Sequence, residues 1–191
     1  MAKRQIKACI VIINGVPRVG KDVLTQQIVA NKNFATTEIA VHSSIDRVKE
    51  AARILGWDGV KDEKGRKFLV ELKRLSVDYY DGPFEAFKRW DALDTRTLII
   101  THIREESEIQ KWLDEFSCVV TVVVVPGTQD QNVLRRLNKD WGNTSDAVNP
   151  HSPIYSYTFW NDFTGVNSLM YQQRVQMLCD NIRDVWDEKQ E

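Results

Sequence analysis

The sequence predicts an α/β fold, a mainly parallel five-stranded sheet with helices on both faces. Three observations support it. Short apolar runs alternate with segments of helical periodicity along the chain. Two of those runs, TLIIT at 97–101 and CVVTVVVV at 118–125, are almost unbroken, as suits strands covered on both faces. The first run leads straight into NGVPRVGKD at 14–22 and then into a helix, a strand–loop–helix order.

Taken in order, residues 6–14 read as the first strand, 21–30 as the first helix and 36–42 as a short second strand. Ser43 or Ser44 can cap the next helix, in which Ile45, Val48, Ala52 and Leu55 share one face. Arg47, Lys49 and Arg53 fall largely elsewhere, and Gly56 ends it. Residues 56–74 begin as a Gly- and Asp-rich loop and become helical, with Phe68, Leu69, Leu72 and Leu75 at helical spacing. An acidic, aromatic turn at 78–83 interrupts that helix, and 85–90 form a short one. After the strand at 97–101, Ile109, Trp112, Leu113 and Phe116 make a helix face. Pro126 and Gly127 stop the fourth strand. Residues 132–137 read as a short basic helix, 139–156 as a polar, turn-rich stretch and 157–160 as the last strand. The terminal helix, 169–187, turns Val175, Leu178, Ile182, Val185 and Trp186 inward. Crossovers in such a sheet are right-handed, and ligands sit beyond the carboxyl ends of the strands. Three stretches reach that rim: the loop at 14–22, the loop after His42, and THIRE at 101–105.

The 191 residues suffice for one domain with a full core. With 26 basic and 27 acidic residues the net charge is −1, so no basic excess points to nucleic acid. No apolar stretch approaches membrane-spanning length. The start, MAKRQIKACIVIING, has the charge and apolar run of a signal peptide's front, but cleavage there would destroy the loop that follows, so strand is the expected reading. Cys9, Cys118 and Cys179 are far apart and odd in number. They fit reduced, mostly buried thiols in a cytoplasmic protein better than a zinc cluster or disulfide framework.

Gly15, Gly20 and Lys21 have the spacing G-x-x-x-x-G-K of a phosphate-binding loop. The glycines let the backbone bring N–H groups onto phosphate oxygens, and the helix N-terminus adds partial positive charge. Lys21 supplies a mobile point charge for the outer phosphates. Asp22 follows, where Ser or Thr would normally touch magnesium. A carboxylate there can bind the ion or serve as an acid in the helix's first turn, and both readings are open.

That loop, the segment SSIDRVKEAARILGWDGVKDEKGRKFL, the strand end IITHIREESEI and the late WND together resemble the deoxynucleoside monophosphate kinases of phages and bacteria. These belong to the P-loop nucleotide kinases, with dephospho-coenzyme A kinase and phosphomevalonate kinase as looser relatives. The resemblance implies a three-layer P-loop kinase fold and magnesium-dependent transfer of a phosphoryl group from ATP to a (deoxy)nucleoside monophosphate. It implies one domain over 1–191, with an acceptor-binding insertion at about 43–95 and a lid at about 128–156.

By the same resemblance Gly15, Val16, Pro17, Arg18, Val19, Gly20, Lys21, Asp22 and Val23 hold the ATP phosphates, with Asp22 at the metal. The region from His42 to Arg53 receives the acceptor, and His42, Ser43, Arg47, Lys49, His102 and Trp141 are the candidates for contacting it. Lys21 and Arg104, with Arg135 and Arg136 from the lid, are the candidate catalytic cations, since the moving phosphoryl group spreads negative charge over its oxygens. Plainer readings stand beside these: solvated positions for Arg18, Arg47 and Lys49, an ion pair of Arg104 with Glu105 or Glu108, and packing under the loop for Trp141. The turn at Trp57, Asp58 and Gly59 could border the acceptor pocket. One position departs from the family: His102 stands where its members usually place an Asp. The implied partners are ATP and a nucleoside monophosphate, without nucleic acid or membrane, acting in the cytoplasm (a host's, if phage-encoded) as monomer or homodimer. The alternatives are a kinase of another small phosphorylated metabolite and a nucleotide-binding protein without transfer activity.

Overall fold

A computed structural model describes residues 2–43, 45–60, 62–127 and 148–190. The strands are β1 (Cys9–Gly15), β2 (Glu38–His42), β3 (Thr97–His102), β4 (Val119–Pro126) and β5 (Tyr157–Asn161). The helices described are α1 (Lys21–Val29), α2 (Asp46–Ile54), α3 (Glu63–Tyr80), α4 (Gly82–Lys88), α5 (Glu106–Glu115) and α6 (Leu169–Glu188). The strands form one sheet in the order β2-β3-β1-β4-β5, and every neighbouring pair is parallel.

β1 is central and all seven of its residues are buried. That explains why it reads as an apolar run instead of alternating, because both its faces meet core. The chain leaves β1 in one direction across the sheet and β3 in the other, so right-handed crossovers send α1 and α5 to opposite faces. Side-chain alternation on β3 bears this out. Thr101 turns toward His42, whose ring sits against Trp112 of α5, whereas His102 turns toward Thr25 of α1. α6 joins the α1 face: Asn31 and Asn33, just past α1, donate to Gln176 and Asp180 at 3.2 and 2.7 Å. α4 joins the α5 face, with the Phe87 and Trp112 rings 4.1 Å apart.

Several boundaries differ from expectation, each for a local reason. β1 begins at Cys9 because the amides of Lys7 and Ala8 donate to the Leu93 carbonyl instead of a strand partner. α3 runs through Tyr80, into the turn expected at 78–83; Asp81 alone breaks it, in a left-handed conformation with φ 55°. α4 starts at Gly82, earlier than expected, because Pro83 lies in a first helical turn, where a missing N–H has no cost. Val48, Ala52 and Leu69 form a small core between α2 and α3, separate from the main one, with Phe68 and Leu72 packed on it. Leu55 and Leu75, expected on the inner faces, are exposed. The basic helix at 132–137 lies outside the described residues. Cys9, Cys118 and Cys179 are free and buried. No described helix is long and apolar enough to cross a membrane.

Candidate functional site

With all strands parallel, their carboxyl ends form one rim. β1 and β3 lie side by side there, and the helices that follow them leave to opposite faces, which opens a crevice between the two strand ends. The loop from Gly15 to Gly20 sits at that crevice. Gly15 has φ 145°, and a Cβ on it would lie 2.6 Å from the Val124 carbonyl oxygen. Gly20 has φ 99°, and a Cβ there would lie 2.6 Å from Asn161 Nδ2. Gly15 therefore requires glycine by backbone conformation and by space, and Gly20 by backbone conformation, with the end of the Asn161 side chain closing on it. Arg18 adopts φ 62°, a left-handed conformation rare for a side-chain-bearing residue and one found where successive amides are turned to a common side. Gly20 is also the N-cap of α1, and no side chain caps that helix end. Lys21 folds back over the loop, its Nζ donating to the carbonyls of Gly15 and Val16 at 2.6 and 2.9 Å.

Two buried asparagines clamp the loop, and sequence reasoning assigned neither a role. Asn14 Oδ1 accepts from the Gly15 amide at 2.7 Å, while its Nδ2 donates to the Arg104 carbonyl at 3.0 Å and to the Tyr155 hydroxyl at 2.6 Å. Asn161 Nδ2 donates to the Val19 carbonyl at 2.8 Å, and its Oδ1 accepts from the Phe163 amide at 3.0 Å. The main-chain oxygen of Asn161 accepts from Gly127 at 2.6 Å. The available signal was an amide side chain closing an otherwise apolar strand, where burial obliges it to find partners.

His102 and Asp22 meet beside the loop. His102 Nε2 lies 2.9 Å from Thr25 Oγ1, and its Nδ1 lies 3.5 Å from Asp22 Oδ1. Burial lowers the His102 pKa from its ordinary value; the Asp22 carboxylate opposes that and the Lys21 ammonium adds to it. Thr25 was another residue the sequence did not single out. Asp22 is well exposed in the first turn of α1. A carboxylate and an imidazole are thus the protein groups on hand for a cation. No cluster of three or more His, Cys, Asp or Glu suited to a metal occurs among the described residues. Asp22 fits magnesium by its oxygen, whereas the imidazole nitrogen does not match that ion's preference for an all-oxygen shell.

The other candidates are spread along the rim. His42, at the end of β2, is packed against Phe87, Trp90 and Trp112, with centroids 4.8, 5.6 and 6.2 Å away, and its Nδ1 lies 3.3 Å from Thr101 Oγ1. Burial pushes its pKa down to about 4, against the pull of Asp46. The Ser43 carbonyl accepts from the Asp46 amide at the start of α2. Arg47 pairs with Glu50 at 3.1 Å and Lys49 with Asp46 at 2.6 Å, both within α2. Trp57 donates to the Val60 carbonyl and lies under Arg53. Arg104 is exposed just past β3, tied to the loop through its own carbonyl and Asn14. Arg135, Arg136 and Trp141 lie outside the described residues. An open groove of about 550 Å³ between α5 and Ser152, Pro153 and Ile154 is lined by none of these candidates.

The parallel sheet, the two helical layers and the glycine-shaped loop between β1 and α1 define a three-layer α/β P-loop kinase fold. No protein-family model matches the chain, and no curated protein does. Among solved structures the chain is similar to the unliganded crystal structure of a sugar kinase from Janibacter sp. HTCC2649. The TM-score is 0.39 and the identity 13%, over 94% of this chain and 95% of that one. A likeness at that level assigns neither family nor substrate to this chain.

Proposed function

We propose that this protein is an ATP-dependent phosphotransferase that converts a (deoxy)nucleoside monophosphate to the diphosphate. The observation that carries this reading is the loop at 15–20. Two glycines are obligatory there, a helix N-terminus is left without a side-chain cap, and a lysine ammonium is held against the loop's own carbonyls. Polyphosphate oxygens are suited to the amides of that cradle, and an anion there would draw Lys21 off the carbonyls.

In this reading ATP lies with its phosphates along 15–23, and Asp22 faces the accompanying cation. Such a cation offsets phosphate charge as the γ-phosphoryl group moves. The acceptor lies beyond the β2 end, between His42, Ser43, Arg47 and Lys49 on one side and His102 and Arg104 on the other. The insertion at 43–95 would shape that pocket, and the separate small core of α2 and α3 suits a unit that holds its own form. Arg104, with Arg135 and Arg136 from a lid at 128–156, would offset repulsion between the two anions in a direct in-line transfer. Trp141 would stack on a base.

His102 favours a second reading, a nucleotide-binding protein without transfer activity, because an imidazole stands where an anionic group would be expected. A kinase of another small phosphorylated metabolite is the remaining alternative. ADP release from ATP, measured over a panel of nucleoside monophosphates and other phosphorylated small molecules, separates the three. With the preferred acceptor, Lys21→Ala should lower the rate about a hundredfold or more. An unchanged rate in Lys21→Ala contradicts the assignment.

A further inference from the structure

Strand alternation aims His102 at α1, and the contacts around it favour one tautomer of the ring. Thr25 Oγ1 donates its single proton to the Lys21 carbonyl one turn earlier, at 3.1 Å. The same oxygen lies 2.9 Å from His102 Nε2, so the tautomer that keeps both contacts carries the ring proton on Nε2. In that neutral tautomer Nδ1 presents a lone pair. That lone pair faces Asp22 Oδ1 at 3.5 Å. The separation is too long for a good hydrogen bond, and two lone-pair donors turned toward each other repel unless a cation lies between them. A histidine that ligates a metal through one nitrogen typically hands the other N–H to a neighbouring acceptor, which fixes the ring; Thr25 Oγ1, 2.9 Å from Nε2, is placed to be that acceptor. The gap is accessible, with the Asp22 side chain 89% and the His102 side chain 31% exposed.

We propose that His102 Nδ1 and Asp22 Oδ1 form a mixed nitrogen–oxygen platform for a divalent first-row transition-metal ion in preference to magnesium, the rest of the shell coming from nucleotide phosphate and water. The preference follows from the donor set. Magnesium demands hard oxygens in near-ideal octahedral geometry, while imidazole nitrogen suits transition-metal dications. This rests on the nucleotide-site reading above, and it changes what that reading expects of the cation: the histidine replaces an acid without emptying the site.

The test uses the full chain with saturating ADP, and Mn2+ as the probe. ADP binding is first followed on its own by calorimetry. Pulsed electron paramagnetic resonance then reads whether Mn2+ feels a nitrogen nucleus, and competition with Mg2+ gives the ratio of affinities. The expected result is a nitrogen coupling in the wild type that is absent in His102→Gln. His102→Asp should move the Mn2+/Mg2+ ratio at least about tenfold toward Mg2+. Thr25→Val should keep the coupling but weaken Mn2+ binding by about tenfold or more. Circular dichroism checks that each variant is folded; if His102→Gln is not, His102→Asp and Thr25→Val carry the test. ADP and Mn2+ binding without nitrogen coupling overturns the proposal and leaves the nucleotide reading standing. So does a coupling that survives His102→Gln, or a ratio unmoved by His102→Asp. Failure of the wild type to bind ADP overturns the nucleotide reading instead, and Mn2+ titrated alone then decides the platform by the same nitrogen signal.

Discussion

Gly15 and Gly20 have the same chemistry but different neighbours, and replacing each by alanine should have different consequences. Both have positive φ, which strains any side-chain-bearing residue by about 1–3 kcal/mol. At Gly15 the added Cβ also meets the backbone carbonyl of Val124, in the middle of the sheet, which cannot move aside. At Gly20 it meets the end of the Asn161 side chain. Urea unfolding should show Gly15→Ala losing more stability than Gly20→Ala, and Gly20→Ala losing the Asn161 contact to Val19. Equal and small losses would mean the loop is not held as described. His42 gives a pH signature at the same scale. Its folded pKa, about 4, lies below the unfolded value near 6.5, so between those two pH values the unfolded chain binds more protons. Stability therefore rises with pH through that window and is fully present above it, by on the order of 3 kcal/mol. His42→Phe should flatten this part of the profile relative to wild type. Parallel profiles would show that the ring is not desolvated among Phe87, Trp90 and Trp112.

Between elements, the asparagine clamps tie three parts of the rim together. Asn161 joins the loop at Val19 to Gly127, where β4 ends, and to the turn at Phe163. Asn14 joins the loop at Gly15 to Arg104, past β3, and to Tyr155. Asn161→Ala leaves a buried carbonyl without its donor, a loss of about 1–3 kcal/mol. It should also weaken ADP binding about tenfold by freeing Gly20 and Lys21. Asn161→Asp should be worse, because a carboxylate would then face the Val19 carbonyl. Denaturation together with ADP titration checks both, and full ADP affinity in a folded Asn161→Ala would remove the clamp from the account. Much at this scale was legible in the sequence. The spacing of Gly15, Gly20 and Lys21 after an apolar run located the loop, and the apolar faces of α5 and α6 were visible in their periodicity. The clamps were not legible, because each joins residues far apart in sequence: Asn14 to Arg104, Asn161 to Val19, His102 to Thr25. Local pattern carries no information about such pairs. The extension of α3 through Tyr80 was also hidden, since its acidic and aromatic last turn is exposed and composes like a loop.

At the scale of the molecule, the parallel sheet was readable because strands buried on both faces cannot alternate polar with apolar residues. The order β2-β3-β1-β4-β5 was not, since similar valine- and isoleucine-rich runs can pair in more than one order. That order is what brings the ends of β1 and β3 together and places the loop, Asp22, His102 and Arg104 on one crevice. In the proposed function this crevice receives a nucleotide's phosphates. A crystal structure of the protein with ADP tests it most directly. Phosphate oxygens should lie within about 3 Å of the main-chain amides of Gly20 and Lys21, with Lys21 Nζ moved from the Gly15 and Val16 carbonyls onto phosphate. ADP seated elsewhere, with Lys21 still bonded to those two carbonyls, would contradict it.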